Sequence, residues 1–194
     1  MKKKNYHTHT ARCMHAVGSD EEFILAAIEA GYSLIGFSDH SPWHYDSDFV
    51  SHMRMHESEF NEYYHSIKSL QEKYKNQIEI FLGLEFEMYS HIGLEGGMDL
   101  TGYDYIIGSS HYLKIGEKNV GFDRDAKTVK DVIDEHFGGD GLAFAKTYYE
   151  DFSKLYEYGK FDIVGHIDII TKTLDQIPHF DPENKEYLNA AFEC

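Results

Sequence analysis

The sequence predicts an α/β fold built on a parallel sheet, and two patterns predict it. Short apolar runs of strand length alternate from end to end with stretches of helical spacing, the order that builds a sheet with helices packed against it. Four of the runs finish on a histidine or a glutamate, namely 34–40, 78–85, 105–111 and 161–166. A parallel barrel gathers its chemistry at the carboxyl ends of its strands, so this shared ending marks both the topology and the place of a site.

Taken in order, Tyr6-His7-Thr8-His9-Thr10 suits a short strand. Alternate strand side chains share a face, so His7 and His9 stand side by side as half of a metal site, neutral imidazole being a ready ligand for zinc and its neighbours. Ser19-Asp20-Glu21-Glu22 supplies a cap and an acidic first turn for a helix over Asp20–Ala30, which Gly31 ends. Phe23, Ala26, Ala27 and Ala30 form its packed face. The run Leu34-Ile35-Gly36-Phe37-Ser38-Asp39-His40 reads as a buried strand. Glu57–Lys75 reads as a longer helix whose stripe of Phe60, Tyr63, Tyr64, Ile67 and Leu70 belongs to the core. Strands ending in Glu85 and His111 follow. Helices over Thr128–Phe137 and Leu142–Tyr158 flank Gly138-Gly139-Asp140-Gly141, a loop without the lysine or spacing of a phosphate-binding P-loop. A strand ending in His166 comes next, and Pro182–Cys194 reads as the start of another helix. No repeat, low-complexity tract or linker interrupts the pattern, so one domain over 1–194 is expected.

Composition narrows the function. With 18 basic and 34 acidic residues the chain carries a net charge of −16, against the Lys/Arg stripes that a nucleic-acid polymer needs. An anionic substrate would need local positive charge that the side chains barely supply and that bound metal ions could. The 13 histidines are dispersed rather than bunched into a tag. No apolar run is long enough to span a membrane, Met-Lys-Lys-Lys leads into polar residues unlike a signal peptide, and Cys13 and Cys194 make no disulfide framework. A cytoplasmic enzyme without a membrane partner is expected.

His7-Thr8-His9-Thr10, His15, Ser38-Asp39-His40-Ser41-Pro42, Gly83-Leu84-Glu85, Gly108-Ser109-Ser110-His111 and Gly165-His166-Ile167-Asp168 resemble successive motifs of the polymerase and histidinol phosphatase (PHP) superfamily, in its histidinol-phosphatase branch. The resemblance runs from residue 6 to about residue 172. It implies a distorted (β/α)7 barrel with two to three divalent transition metals (zinc, manganese or iron) at the strand ends, and hydrolysis of a small phosphomonoester. L-histidinol phosphate, an intermediate of histidine biosynthesis, is the expected substrate. Residue by residue, it implies one metal on His7, His9 and Glu85, with these three catalytic through the metal. Glu85 would bridge to a second metal on His111 and His166, and His15 with His40 would hold a third. A metal lowers the pKa of coordinated water towards 7, and paired ions clamp phosphoryl oxygens. Asp39 is a candidate to orient an imidazole from behind and Asp168 to do the same for His166, and Lys172 is a candidate phosphate contact. His44, His52, His56, His65, His91, His136 and His179 match no motif and are read as surface residues.

The chain departs from the pattern after residue 172, where a closing Asp-x-His element is absent. The barrel is therefore expected to be cut short after about five strands, with an open edge through which copies could associate. Two alternatives stay open at this level: an inactive metal-binding barrel fragment, and a PHP enzyme for another small phosphoester such as a nucleotide.

Overall fold

The structure, a computed structural model, describes residues 2–43, 51–89 and 98–194. In chain order its elements are β1 (Lys3–Asn5), α1 (Asp20–Glu29), β2 (Tyr32–His40), α2 (Phe60–Tyr74), β3 (Glu79–Glu87), β4 (Tyr105–Ser109), β5 (Tyr112–Ile115), β6 (Lys118–Gly121), α3 (Ala126–Phe137), α4 (Gly141–Phe152), β7 (Ile163–Val164) and α5 (Lys185–Glu193). They fall in two compact units, Met1–Gly108 with Phe161–Ile163, and Ser109–Lys160 with Val164–Cys194. None of the described helices is long and apolar enough to cross a membrane.

The first unit is built on a curled parallel sheet of five strands in the order β1-β2-β3-β4-β7, the α/β class that the sequence predicts. The inner strands β2 and β3 are buried over most of their length, as expected where both faces of a parallel sheet are covered. Phe37, Leu82 and Leu84 form a core with Ile24 of α1 and Tyr63 and Ile67 of α2, each fully enclosed. Helix α1 starts on a capping box: Ser19 Oγ accepts from Glu22 N (3.3 Å) and Glu22 Oε2 accepts from Ser19 N (2.7 Å). It stops before Gly31, which takes φ 76°.

The first strand is shorter than the sequence suggests. It ends at Asn5, and His7 and His9 lie beyond it. The cause is local: Asn5 Oδ1 accepts from His7 N (3.0 Å) and Asn5 Nδ2 donates to Thr8 Oγ1 (2.9 Å), so a turn-forming side chain diverts a ladder donor. A backbone bond to β2 persists beyond β1, Ser38 N donating to Thr8 O at 2.8 Å. Strand β4 likewise stops at Ser109, short of His111.

Tyr105 pins these pieces together. Its hydroxyl donates to Tyr6 O (2.5 Å) and Phe37 O (3.1 Å), and its ring lies where side chains at Gly36 and Gly83 would otherwise be. A Cβ on Gly83 would stand 2.5 Å from the Tyr105 ring, and one on Gly36 2.4 Å from its hydroxyl. Two glycines thus let a tyrosine from β4 cross β3 and β2 and reach the residue before His7.

The second unit has an aromatic core, with Phe122 set edge-on to Phe144 (5.7 Å) and Tyr148 (5.6 Å). Helix α5 docks on α4 through Tyr149 and Tyr187, whose hydroxyls are 2.9 Å apart. The helix expected over Leu142–Tyr158 divides: α4 ends at Phe152 and a 3-10 turn covers Leu155–Tyr158. Ser153 Oγ bonds back to Glu150 O (2.8 Å), a side-chain competitor for the helical ladder. The β5–β6 hairpin escaped the sequence reading. Its signal was Gly116 (φ 62°), first of the two residues between the paired Ile115 and Lys118.

Of the histidines read as surface residues, His52, His65 and His136 are exposed and His56 is half-buried. His44 and His91 lie outside the described residues. His179 corrects the reading: it is half-buried against Phe180 (4.9 Å), and its carbonyl approaches Gly141 so closely that a Cβ there would lie 1.7 Å away. The glycine at the start of α4 allows that approach.

Gly83→Ala should destabilise the fold by about 1–3 kcal/mol, the usual cost of overpacking a closed core. Urea unfolding followed by circular dichroism measures it, and a midpoint equal to wild type would mean that Tyr105 does not fill this space.

Candidate metal centre

The site starts from strand register. His40 at the end of β2 pairs with Glu85 of β3, so the two stand side by side. Glu85 is fully buried. Its Oε2 lies 3.0 Å from His40 Nδ1, 3.2 Å from His7 Nε2 and 3.3 Å from His9 Nε2. The nitrogens of His7 and His9 are themselves 3.0 Å apart. The His15 ring closes the group, 4.9 Å from His9 and 5.4 Å from His40. His15 follows a 3-10 turn over Ala11–Cys13 that ends on Met14 in the left-handed region, φ 61°. That conformation is uncommon outside glycine and costs of order 1–3 kcal/mol.

Protons alone serve this arrangement poorly. Three imidazoles would compete to donate to one oxygen, with two of their donors 3.0 Å apart. Donor atoms around a tetrahedral zinc sit about 3.3–3.4 Å from one another, from bond lengths of about 2.0–2.1 Å. The observed spacings of 3.0 to 3.3 Å are close to that edge. His7, His9 and Glu85 form one donor group and His9, His15 and His40 another, with ligand atoms in each within 4.8 Å. Imidazole and carboxylate suit zinc, manganese or iron, so the residues fit a divalent cation.

A family model described as the PHP domain matches residues 5–193. The chain belongs to the PHP domain family. A probable histidinol-phosphatase of Deinococcus radiodurans is 31% identical over 189 residues, and one of Schizosaccharomyces pombe is 27% identical over 173. The matches take in 95% and 84% of this chain, which spans 66% and 55% of those relatives' lengths, less than two thirds of either. A crystal structure from Listeria monocytogenes, assigned as a histidinol phosphatase, superposes with a TM-score of 0.74 at 22% identity, over 97% of this chain and 75% of that one. The histidinol phosphate phosphatase of Lactococcus lactis, complexed with zinc, L-histidinol and phosphate, gives 0.51 at 22%, over 88% and 60%. At that identity the two structures share the fold.

An Asp39 carboxylate oxygen lies within 4.8 Å of a His9 ring nitrogen and of Cys13 Sγ. Its carboxylate receives Thr10 N (2.5 Å) and Thr10 Oγ1. Burial pushes the Asp39 carboxyl up from its ordinary range, while the bonds from Thr10 pull it down. In the second unit His111 and His166 pair, their ring centres 4.9 Å apart, and Asp123 Oδ2 lies 3.9 Å from His111 Nε2. Lys172 Nζ donates to Asp123 Oδ1 (3.0 Å) and O (3.2 Å), so its ammonium is already engaged. Asp168 caps a 3-10 turn. It is exposed, and its carbonyl accepts from Thr171 Oγ1 at 2.8 Å. The sequence reading missed Thr10, Arg12 and Cys13. Their adjacency to His9 and His15 was the available signal.

Cys13 is enclosed, its Sγ accepting His40 N–H at 3.2 Å, and burial pushes its thiol well up. Cys194 is exposed. A thiol reagent should therefore modify one cysteine in the native protein and two in denaturant, counted by mass spectrometry. Rapid native labelling of Cys13 would contradict the packed turn.

Proposed function

We propose that this PHP domain is a metal-dependent phosphomonoesterase whose substrate is L-histidinol phosphate, cleaved to L-histidinol and phosphate. The observation that carries the proposal is the convergence of three imidazole nitrogens on one buried oxygen of Glu85 at 3.0 to 3.3 Å. The names of the Deinococcus and yeast relatives point to the same substrate, as do the histidinol and phosphate in the Lactococcus structure.

In this reading His7, His9 and Glu85 hold one cation, His15 and His40 hold another beside His9, and His111 and His166 are further ligands. Zinc, manganese or iron bound here would act as a Lewis acid that lowers the pKa of coordinated water and offsets phosphoryl charge. The chain supplies the setting. Neutral imidazoles add no negative charge to a centre that must accept a phosphate, while the single carboxylate fixes their rings. With a net charge of −16, the protein has little other positive potential for an anion. Lys172 could contribute a phosphate contact on leaving Asp123.

The chain spans 66% and 55% of its relatives, which favours one other reading, a domain that binds metal without turnover by itself. Phosphate release from histidinol phosphate, a mononucleotide and p-nitrophenyl phosphate, with added zinc or manganese, separates the two. The expected result is metal-dependent release, fastest from histidinol phosphate. Glu85→Gln should lose several orders of magnitude, since a ligand's loss removes metal binding and transition-state stabilisation together. The exposed His52→Ala should match wild type. Tight metal binding with no release from any ester would favour the non-catalytic reading, and undiminished activity in Glu85→Gln would remove Glu85 from the site.

A further inference from the structure

We propose that Arg12 and Thr10 are positioning residues of the metal centre, fixing the turn that carries His9 and His15 against the end of β2. The proposal rests on the metal reading above and concerns two residues outside the donor groups, to which the motif pattern gives no role.

Thr10 and Asp39 are both fully buried. Thr10 follows His9 and Asp39 precedes His40, so the two bonds from Thr10 to the Asp39 carboxylate lock the backbones of two candidate ligands one residue away from each. A second tie follows at once, from His40 N to Cys13 Sγ at 3.2 Å. The turn over Ala11–Cys13 therefore grips two consecutive residues of β2, with His9 before it and His15 after it.

Arg12 anchors this bracket to the helices. Its Nη1 donates to Thr10 Oγ1 (2.9 Å) and Asp20 Oδ1 (2.8 Å), its Nη2 to Asp20 Oδ2 (2.9 Å) and Glu62 Oε1 (3.0 Å), and its Nε to Glu62 Oε2 (2.7 Å). A guanidinium has five N–H donors, and these bonds use every one. Asp20 begins α1 and is held in turn by Ser66 Oγ of α2 at 2.5 Å. The guanidinium also lies 5.5 Å from the centre of the Tyr63 ring, and Tyr63 Oη donates to Gly83 O at 2.8 Å, two residues before Glu85. Because arginine only donates, the Thr10 hydroxyl accepts from it and must send its own proton to Asp39. Arg12 thus fixes the direction of the bond that clamps β2. No lysine can reproduce this fork.

Support of this kind behind a ligand changes metal affinity about 10- to 100-fold. The test titrates the metal-free full chain with Co2+, following the visible absorption bands and chelator competition, with far-ultraviolet circular dichroism as the check on folding. Thr10→Val and Arg12→Lys should stay folded, bind Co2+ about 10- to 100-fold more weakly and show shifted bands, while Thr10→Ser, which keeps the hydroxyl, should restore wild-type binding. Folded Thr10→Val and Arg12→Lys with wild-type affinity and bands would overturn the proposal. Should either variant fail to fold, the Thr10 amide and Arg12 Nε–H resonances of the wild-type chain decide: the proposal expects both to shift on Zn2+ binding and falls if neither moves. A wild-type chain that binds neither ion would overturn the metal reading itself, an outcome distinct from the others.

Discussion

A carboxylate with no exposed surface is the constraint from which the rest of the first unit follows. Glu85 sits at the end of a strand buried on both faces, where an unaccompanied charge is strongly disfavoured. Its company is a ring of imidazoles delivered by separate stretches of chain: His40 by direct strand register, His7 and His9 by the segment after β1, and His15 by the turn beyond. Each delivery has its own device. Asn5 turns the backbone out of the ladder, Met14 reverses it in a left-handed conformation, and Thr10 clamps the result to Asp39.

The same economy of space appears in the sheet. Gly36 and Gly83 carry no side chains because Tyr105 occupies their place, and its hydroxyl satisfies carbonyls of Tyr6 and Phe37. Aromatic area is buried and polar groups are bonded in one move, which is how a close-packed interior tolerates a phenol. The residue held most tightly by this plug, Tyr6, adjoins His7. Packing within the sheet and geometry at its carboxyl end are in this way one problem, and a methyl group at Gly83 would disturb both.

Electrostatics sets the character of the centre. The protein is strongly acidic, and Arg12 spends its charge on Asp20 and Glu62. Neutral donors are the means by which such a chain can gather cations without first gathering further anions. That is a physical reason for the gathering of His7, His9 and His40 around the Glu85 carboxylate.

The sequence by itself determined the α/β class, the start of the first helix and the position of His40 and Glu85 toward the ends of neighbouring strands. Those features rest on local physics: a capping box within four residues, apolar runs of strand length, and the rule that parallel strands point their carboxyl ends one way. The PHP motifs, too, were legible at His7, His9, His40 and Glu85. Tertiary structure alone decided what surrounds them. That Asp39 would receive two bonds from Thr10, that Arg12 would bond residues 8 and 50 positions away, and that His179 would pack against a helix start all depend on how the folded chain brings these groups together. Residue spacing fixes which side chains share a strand face or helix face. It does not fix which partner from elsewhere will fill the remaining hydrogen bonds, because that is settled only when the packed elements leave room for one.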